Sequence, residues 1–322
     1  MIAIQVRETG GPEALEVREL AEPDPAPGRL VVQVTAAGVN FIDTYHRNGL
    51  YPMDLPIVPG MEGAGTVVAA GEGVDNVSPG DVVAWADAIG SYAEYVSVPA
   101  ERAVPVPEGI GAEIAAAAML QGLTAHYLAT STFSLAPGHR CLIHAGAGGV
   151  GRLLTQVAKL RGAEVFTTVG SEEKAEVASA AGADHVINYR EVPFQEAVEA
   201  VAGARPLDVV YDGVGASTFE AGLGLLKGRG LMVSFGNSSG AVPPVAPLTL
   251  ARNGSLFLTR PTLGNYIEER VELMERSRDL FRWIEDGSLE ILVGGTYPLV
   301  DAATAHRDLE GRATTGKVLL VP

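Results

Sequence analysis

The stretch from Cys141 to Ala163 limits the possible folds of this chain more than any other. A short apolar strand, Cys141 to Ala145, runs directly into Gly146-Ala147-Gly148-Gly149-Val150-Gly151, and the next twelve residues place Leu153, Leu154, Val157, Ala158 and Leu160 at helical spacing. Glycines at positions 146, 148 and 151 let the backbone turn tightly and approach a pyrophosphate, whose charge is met by free amides and the positive end of the helix dipole. Outside a strand-to-helix context the same spacing carries little weight. Gly60, Gly63 and Gly65 make that contrast, since a β-like run follows them and they read as a structural turn. The loop at 146–151 therefore predicts a dinucleotide site, with a merely tight strand-helix turn as the plain alternative.

The surroundings support a parallel, doubly wound sheet. From about Leu123 the texture alternates strand and helix, with strands read at Cys141–His144, Glu164–Val169, His185–Asn188, Leu207–Tyr211, Leu231–Phe235 and Leu256–Thr259. Ser171 suits a helix N-cap and Gly182 a helix stop. The first 110 or so residues differ: short β-rich runs are punctuated by Pro27-Gly28, Pro59-Gly60 and Pro79-Gly80. After about Pro261 a helix-like stretch, Tyr266–Gly287, leads to a β-rich end. A length of 322 residues accommodates two domains. The net charge of −16 repels a nucleic-acid backbone and an anionic membrane alike. The longest apolar run, near Ile114–Leu120, is far short of a membrane span of ~18 residues, and residues 2–11 do not read as a secretory signal. Cys141, the only cysteine, allows no internal disulfide and no Cys-rich zinc site. The expectation is a soluble protein of a reducing cytoplasm.

The second strand of a dinucleotide fold indicates which nucleotide binds. An NAD site places an Asp or Glu at its end to hold the ribose hydroxyls, whereas Val169-Gly170-Ser171 stands here. Glu164 lies at the wrong end of that strand, and Glu172 and Glu173 suit a helix N-terminus. With a hydroxyl at Ser171 and a cation at Lys174, the segment reads as a 2′-phosphate pocket, so NADPH is expected. The alternative is an ordinary solvated Lys174.

Several segments together resemble the zinc-independent quinone oxidoreductases of the medium-chain dehydrogenase/reductase superfamily, relatives of zeta-crystallin. They are Ala36–Pro52, Pro59–Val74, Leu120–Leu128, His144–Gly151, Gly182–Glu191, Val209–Gly215, Gly230–Val242, Gly254–Leu263 and Gly311–Leu320. The resemblance implies an α/β protein with a GroES-like β-rich catalytic domain, residues 1–122 completed by 262–322, and a Rossmann domain with a doubly wound parallel sheet at 123–261. It implies that Asn40, Tyr45, Thr124 and Tyr127 line the nicotinamide end of the site, and that Gly148, Gly149 and Val150 hold the pyrophosphate. Ser171, Lys174 and Tyr189 would bind the adenosine phosphate, Asn237, Phe257 and Thr259 the nicotinamide ribose and carboxamide, and Arg312 the pyrophosphate. Each has a plainer reading: Tyr127 and Phe257 as core aromatics, Arg312 as a surface cation, Asn40 as a turn residue.

Zinc-using relatives carry Cys where Asn40 stands and His where Met61 stands, so no metal is expected. What remains is reduction of an acceptor electrophilic enough to need no Lewis acid, a quinone, with Tyr45 and Asn40 as the groups nominated to assist. An enone or enoyl reductase is the alternative enzyme, and a crystallin-like or RNA-binding protein the alternative without catalysis. The β-prone segment Ser255–Thr259 at a sheet edge, together with the resemblance, implies a homodimer.

Overall fold

The computed structural model describes residues 1–322. The chain forms two units, one of Met1–Leu123 with Ile267–Gly287 and Ile291–Pro322, the other of Thr124–Tyr266 with Ser288–Glu290. In chain order the first opens with β1 (Ile2–Gln5), β2 (Glu16–Glu19), β3 (Arg29–Val39), α1 (Phe41–Asn48), β4 (Glu62–Ala70), β5 (Val82–Ala86), β6 (Tyr95–Pro99), β7 (Val104–Pro105) and α2 (Ala112–Tyr127), whose last turn from Thr124 belongs to the second unit. The second contains β8 (Arg140–Ile143), α3 (Gly149–Leu160), β9 (Glu164–Val169), α4 (Glu172–Ala180), β10 (His185–Asn188), α5 (Phe194–Ala202), β11 (Leu207–Asp212), α6 (Phe219–Leu225), β12 (Leu226–Ser234), α7 (Pro247–Arg252), β13 (Phe257–Thr259) and α8 (Leu263–Tyr266). Then α9 (Arg270–Glu285), β14 (Val293–Pro298), α10 (Ala302–Glu310) and β15 (Lys317–Val321) return the chain to the first unit.

In the first unit, β3 is the organising strand. It pairs antiparallel with β4, β6 and β15, so the last strand of the chain lies against the third. Alternating residues of these strands bury Val32, Val34, Val67, Val96 and Leu320 in one core, joined by Trp85 of β5. The Gly60/Gly63/Gly65 cluster is structural here. Gly60 takes a left-handed φ of +93°, and a Cβ on Gly65 would fall 1.9 Å from the Gln33 carbonyl oxygen. The apolar run Ile114–Leu120 lies within α2 and is largely buried.

In the second unit the strands run in the order β10-β9-β8-β11-β12-β13, all parallel. Every residue of β11 is buried, as expected for a strand covered on both faces. Strand order reverses between β8 and β11, the switch point at which open α/β sheets bind their ligands. Two boundaries depart from the sequence reading. β12 starts at Leu226, five residues before the predicted Leu231, because Leu226 pairs with Leu207 before a register shift. The helix read over Tyr266–Gly287 is α9, confined to Arg270–Glu285.

Candidate functional site

The glycine loop follows β8 at the switch point. Ala145 has a left-handed φ of 58°, and Gly148 caps α3 with no side chain bonded to the cap. The amides of the first turn of α3 are thus left for a ligand. A Cβ on Gly151 would sit 2.2 Å from the Ala145 carbonyl oxygen, and one on Gly146 would sit 2.0 Å from Thr167 Oγ1. The loop is closed to side chains inside and presents its backbone, a cradle that fits the pyrophosphate of a dinucleotide. Behind it, Arg152 donates to the carbonyl and carboxylate of Glu290 at 2.5 Å each, anchoring the first turn of α3.

The end of β9 carries no acid. Ser171 is the N-cap of α4, its Oγ accepting from Lys174 N at 3.4 Å, and Lys174 lies one turn along. The Tyr189 hydroxyl occupies the space beside Gly170, 2.5 Å from where a Cβ would be. Ser171, Lys174 and the Tyr189 hydroxyl thus lie around the end of β9 in place of an acid, residue types that fit a 2′-phosphate. Elsewhere in this unit, Tyr127 is buried and stacks on Tyr266, ring centres 4.1 Å apart. With its amide oriented to match its neighbours, Asn237 accepts from Arg260 at 3.2 Å. Phe257 and Thr259 lie on β13, where Phe257 is 62% exposed, and Thr124 is buried in the last turn of α2.

Asn40, Tyr45 and Arg312 belong to the first unit. Tyr45 sits on α1 at 7% exposure, its ring edge-on to Tyr51 at 5.2 Å. Arg312 follows α10 with a left-handed φ of 58°. Asn40 follows β3 as the N-cap of α1 and is fully engaged. Its Nδ2 donates to Glu62 Oε2 (2.9 Å) and Gly38 O (3.3 Å), and its Oδ1 accepts from Gln121 Nε2 (3.1 Å) and Lys317 Nζ (2.9 Å). Lys317 also bonds Glu62.

A second buried chain of polar groups starts at the same helix. Asp43 Oδ2 accepts from the Asn40 N–H (2.8 Å) and the Tyr92 hydroxyl (3.0 Å). Tyr92 meets His306 Nε2 at 3.0 Å, His306 Nδ1 accepts from Arg47 at 3.1 Å, and Arg47 holds Glu310 through two bonds. Sequence reading missed Glu62, Gln121, Lys317 and this second chain. The available signal was a Glu among glycines at 60–65 and a Lys heading the apolar run Lys317–Val321, charges with no polar face around them.

Burial pushes the Asp43 carboxyl up to about 7, against the two donors that favour its ionised form. Burial, aided by Arg47, holds His306 neutral down to about 3. The two act on stability with opposite sign. The folded chain keeps a proton on Asp43 that the unfolded chain releases near pH ~4, so this contribution is lost as pH rises toward 7. The unfolded chain protonates His306 below about 6.5, so that contribution is lost as pH falls toward 3. Asp43→Asn removes the first and leaves the second. The unfolding free energy of the variant relative to wild type should therefore rise by on the order of 4 kcal/mol between pH 4 and 7.5. Urea titrations across that range measure it, and a flat difference would show Asp43 ionised throughout.

A parallel sheet with a glycine cradle at its switch point, in a chain that also carries a β-rich unit closed by the C-terminal strand, defines a dinucleotide-dependent dehydrogenase or reductase. Residues 26–108 match the alcohol dehydrogenase GroES-like domain, and residues 149–276 match the zinc-binding dehydrogenase domain. The chain is 46% identical over 323 residues to quinone oxidoreductase 1 of Escherichia coli (strain K12), covering 99% of each. The crystal structure of Escherichia coli quinone oxidoreductase complexed with NADPH aligns with a TM-score of 0.98 at 45% identity, covering both chains completely. The 2-haloacrylate reductase of Burkholderia sp is 38% identical over 330 residues, covering 100% of this chain and 99% of the relative. This chain belongs to the quinone oxidoreductase family of the medium-chain dehydrogenase/reductase superfamily.

The metal in the name of the matched domain does not fit the residues here. No three His, Cys, Asp or Glu side chains converge in a way that would hold an ion. Cys141 is buried in β8, its thiol pushed up by burial.

Proposed function

We propose that this chain passes reducing equivalents from NADPH to a quinone without a metal ion. The observation that carries the reading is the closed glycine cradle at 146–151 followed by an acid-free end of β9 bordered by Ser171, Lys174 and Tyr189. NADPH, when bound, supplies the hydride. The amides that open α3 hold its pyrophosphate. Ser171, Lys174 and Tyr189 take the 2′-phosphate, while Thr124, Tyr127, Asn237, Phe257 and Thr259 orient the ribose and nicotinamide. Tyr45 donates a hydrogen bond to the oxygen on which negative charge develops in the acceptor. The protein thus contributes position and one neutral donor, which suits an acceptor already electrophilic.

Full-length similarity to a 2-haloacrylate reductase favours a second reading, reduction of an activated C=C bond. NADPH oxidation against 1,4-benzoquinone, 9,10-phenanthrenequinone and 2-alkenals, with and without a strong chelator, separates the two. Quinones should turn over at the same rate in both conditions, and ethanol and simple aldehydes not at all. Preferential use of 2-alkenals would move the assignment to the second reading. Chelator-sensitive turnover would overturn the metal-free one. The net charge of −16 weighs against an RNA-binding role. No helix is long and apolar enough to cross a membrane. β13 ends its sheet with Phe257 and Leu258 exposed, and we read it as the pairing edge of a homodimer. A 33.5 kDa species in sedimentation at micromolar concentration would refute the dimer.

A further inference from the structure

We propose that Lys317 is a positioning residue, a cation of the chain itself that fixes Asn40 and, through Asn40, the start of the helix that carries Tyr45. Three strand ends build the arrangement. Val39 pairs with Val318 and Ala37 with Gly63, so one step further along each ladder Asn40 comes abreast of Lys317 and Gly38 abreast of Glu62. Glu62 has no solvent exposure and Lys317 has 2%. Glu62 Oε1 accepts the Leu120 N–H at 2.6 Å, and its Oε2 takes both Lys317 and Asn40. A Cβ on Gly38 would lie 2.2 Å from Glu62 Oε2 and 2.7 Å from Lys317 Nζ, so the pair fills the space that any side chain at position 38 would need.

Such a pair is an expensive way to stabilise a core. Desolvating both ions cancels most of their attraction, and apolar side chains of similar volume serve as well or better. Its distinctive effect is directional. Asn40 offers two donors and two acceptor lone pairs, and Gly38, Glu62, Gln121 and Lys317 take all four. The amide can neither flip nor turn without breaking a buried bond. Having no valence to spare, Asn40 acts through its backbone. Its N–H is held by Asp43, and α1 begins at the next residue with Tyr45 a little over one turn along. The chain therefore supplies a fixed positive charge at Asn40, where its residue types reject a metal. An ammonium has no open coordination position, so it orients its neighbours and leaves the acceptor's oxygen to Tyr45.

The effect on turnover rests on the quinone-reductase reading, whereas the effect on Asn40 does not. The experiment compares wild type, Lys317→Met and Lys317→Met/Glu62→Gln. It measures NADPH Kd, quinone kcat and KM, Tm, and hydrogen exchange of the Asn40 side-chain amide in ¹⁵N-labelled protein, assigned by its loss in Asn40→Asp. The single variant should lose Tm, and its kcat should fall about 10-fold or more with NADPH Kd held within about 2-fold. The electrically neutral double variant should recover Tm, yet keep the low kcat and a fast-exchanging Asn40 amide. If kcat returns with Tm in the double variant, or if the Asn40 amide exchanges as slowly in both variants as in wild type, the proposal is wrong. A wild type inactive toward quinones whose Asn40 amide still depends on Lys317 would overturn the functional reading and leave Lys317 as the residue that positions Asn40.

Discussion

Replacing Gly151 with valine should remove NADPH binding almost completely. The first added carbon would lie 2.2 Å from the carbonyl oxygen of Ala145, 2.9 Å from its carbonyl carbon and 3.1 Å from Gly146 Cα. All three atoms are backbone, in the turn that joins β8 to α3, so no side chain can swing aside. The N-terminus of α3 has to withdraw from the loop, and its amides then no longer converge on a pyrophosphate. NADPH affinity, read by fluorescence titration of the still-folded protein, is expected to fall by at least about 100-fold, or about 2.7 kcal/mol. A Kd within a few-fold of wild type would show that the pyrophosphate is held elsewhere.

Lys174→Ala should separate the two nicotinamide cofactors. Ser171 caps α4, Lys174 lies one turn along from it, and the Tyr189 hydroxyl lies beside Gly170, at a strand end that carries no acid of its own. A charge-assisted bond to a phosphate contributes roughly 1.5 to 3 kcal/mol, so kcat/KM for NADPH should drop about 10-fold or more. The value for NADH should stay within about 2-fold, since NADH has no phosphate there. Equal losses with both cofactors, or equal use of both by the wild type, would remove Lys174 from the 2′-phosphate site.

The residues behind these two experiments were legible because their chemistry is local. A strand, three spaced glycines and an amphipathic helix are consecutive, and the missing acid and the Ser171 cap lie within a few residues of the end of β9. The parallel sheet was readable for a related reason: strands buried on both faces appear as unbroken apolar runs, whatever their partners. Helix α2 was harder. Its middle is apolar on nearly every side, so it shows no amphipathic period to read. The cluster around Asn40 was out of reach altogether. Glu62 and Lys317 are residue types that usually sit in water, and they stand 255 positions apart. Only the pairing of β3 with β4 and β15 brings their charges together over Gly38, because strand register decides which side chains share a dry site and a chain read one residue at a time contains no register. The sequence alone thus specified a glycine loop and an acid-free strand end built from neighbouring residues, while the tertiary structure decided how the helix carrying Tyr45 is held, since that depends on charges that become costly, and therefore directional, only once they are buried side by side.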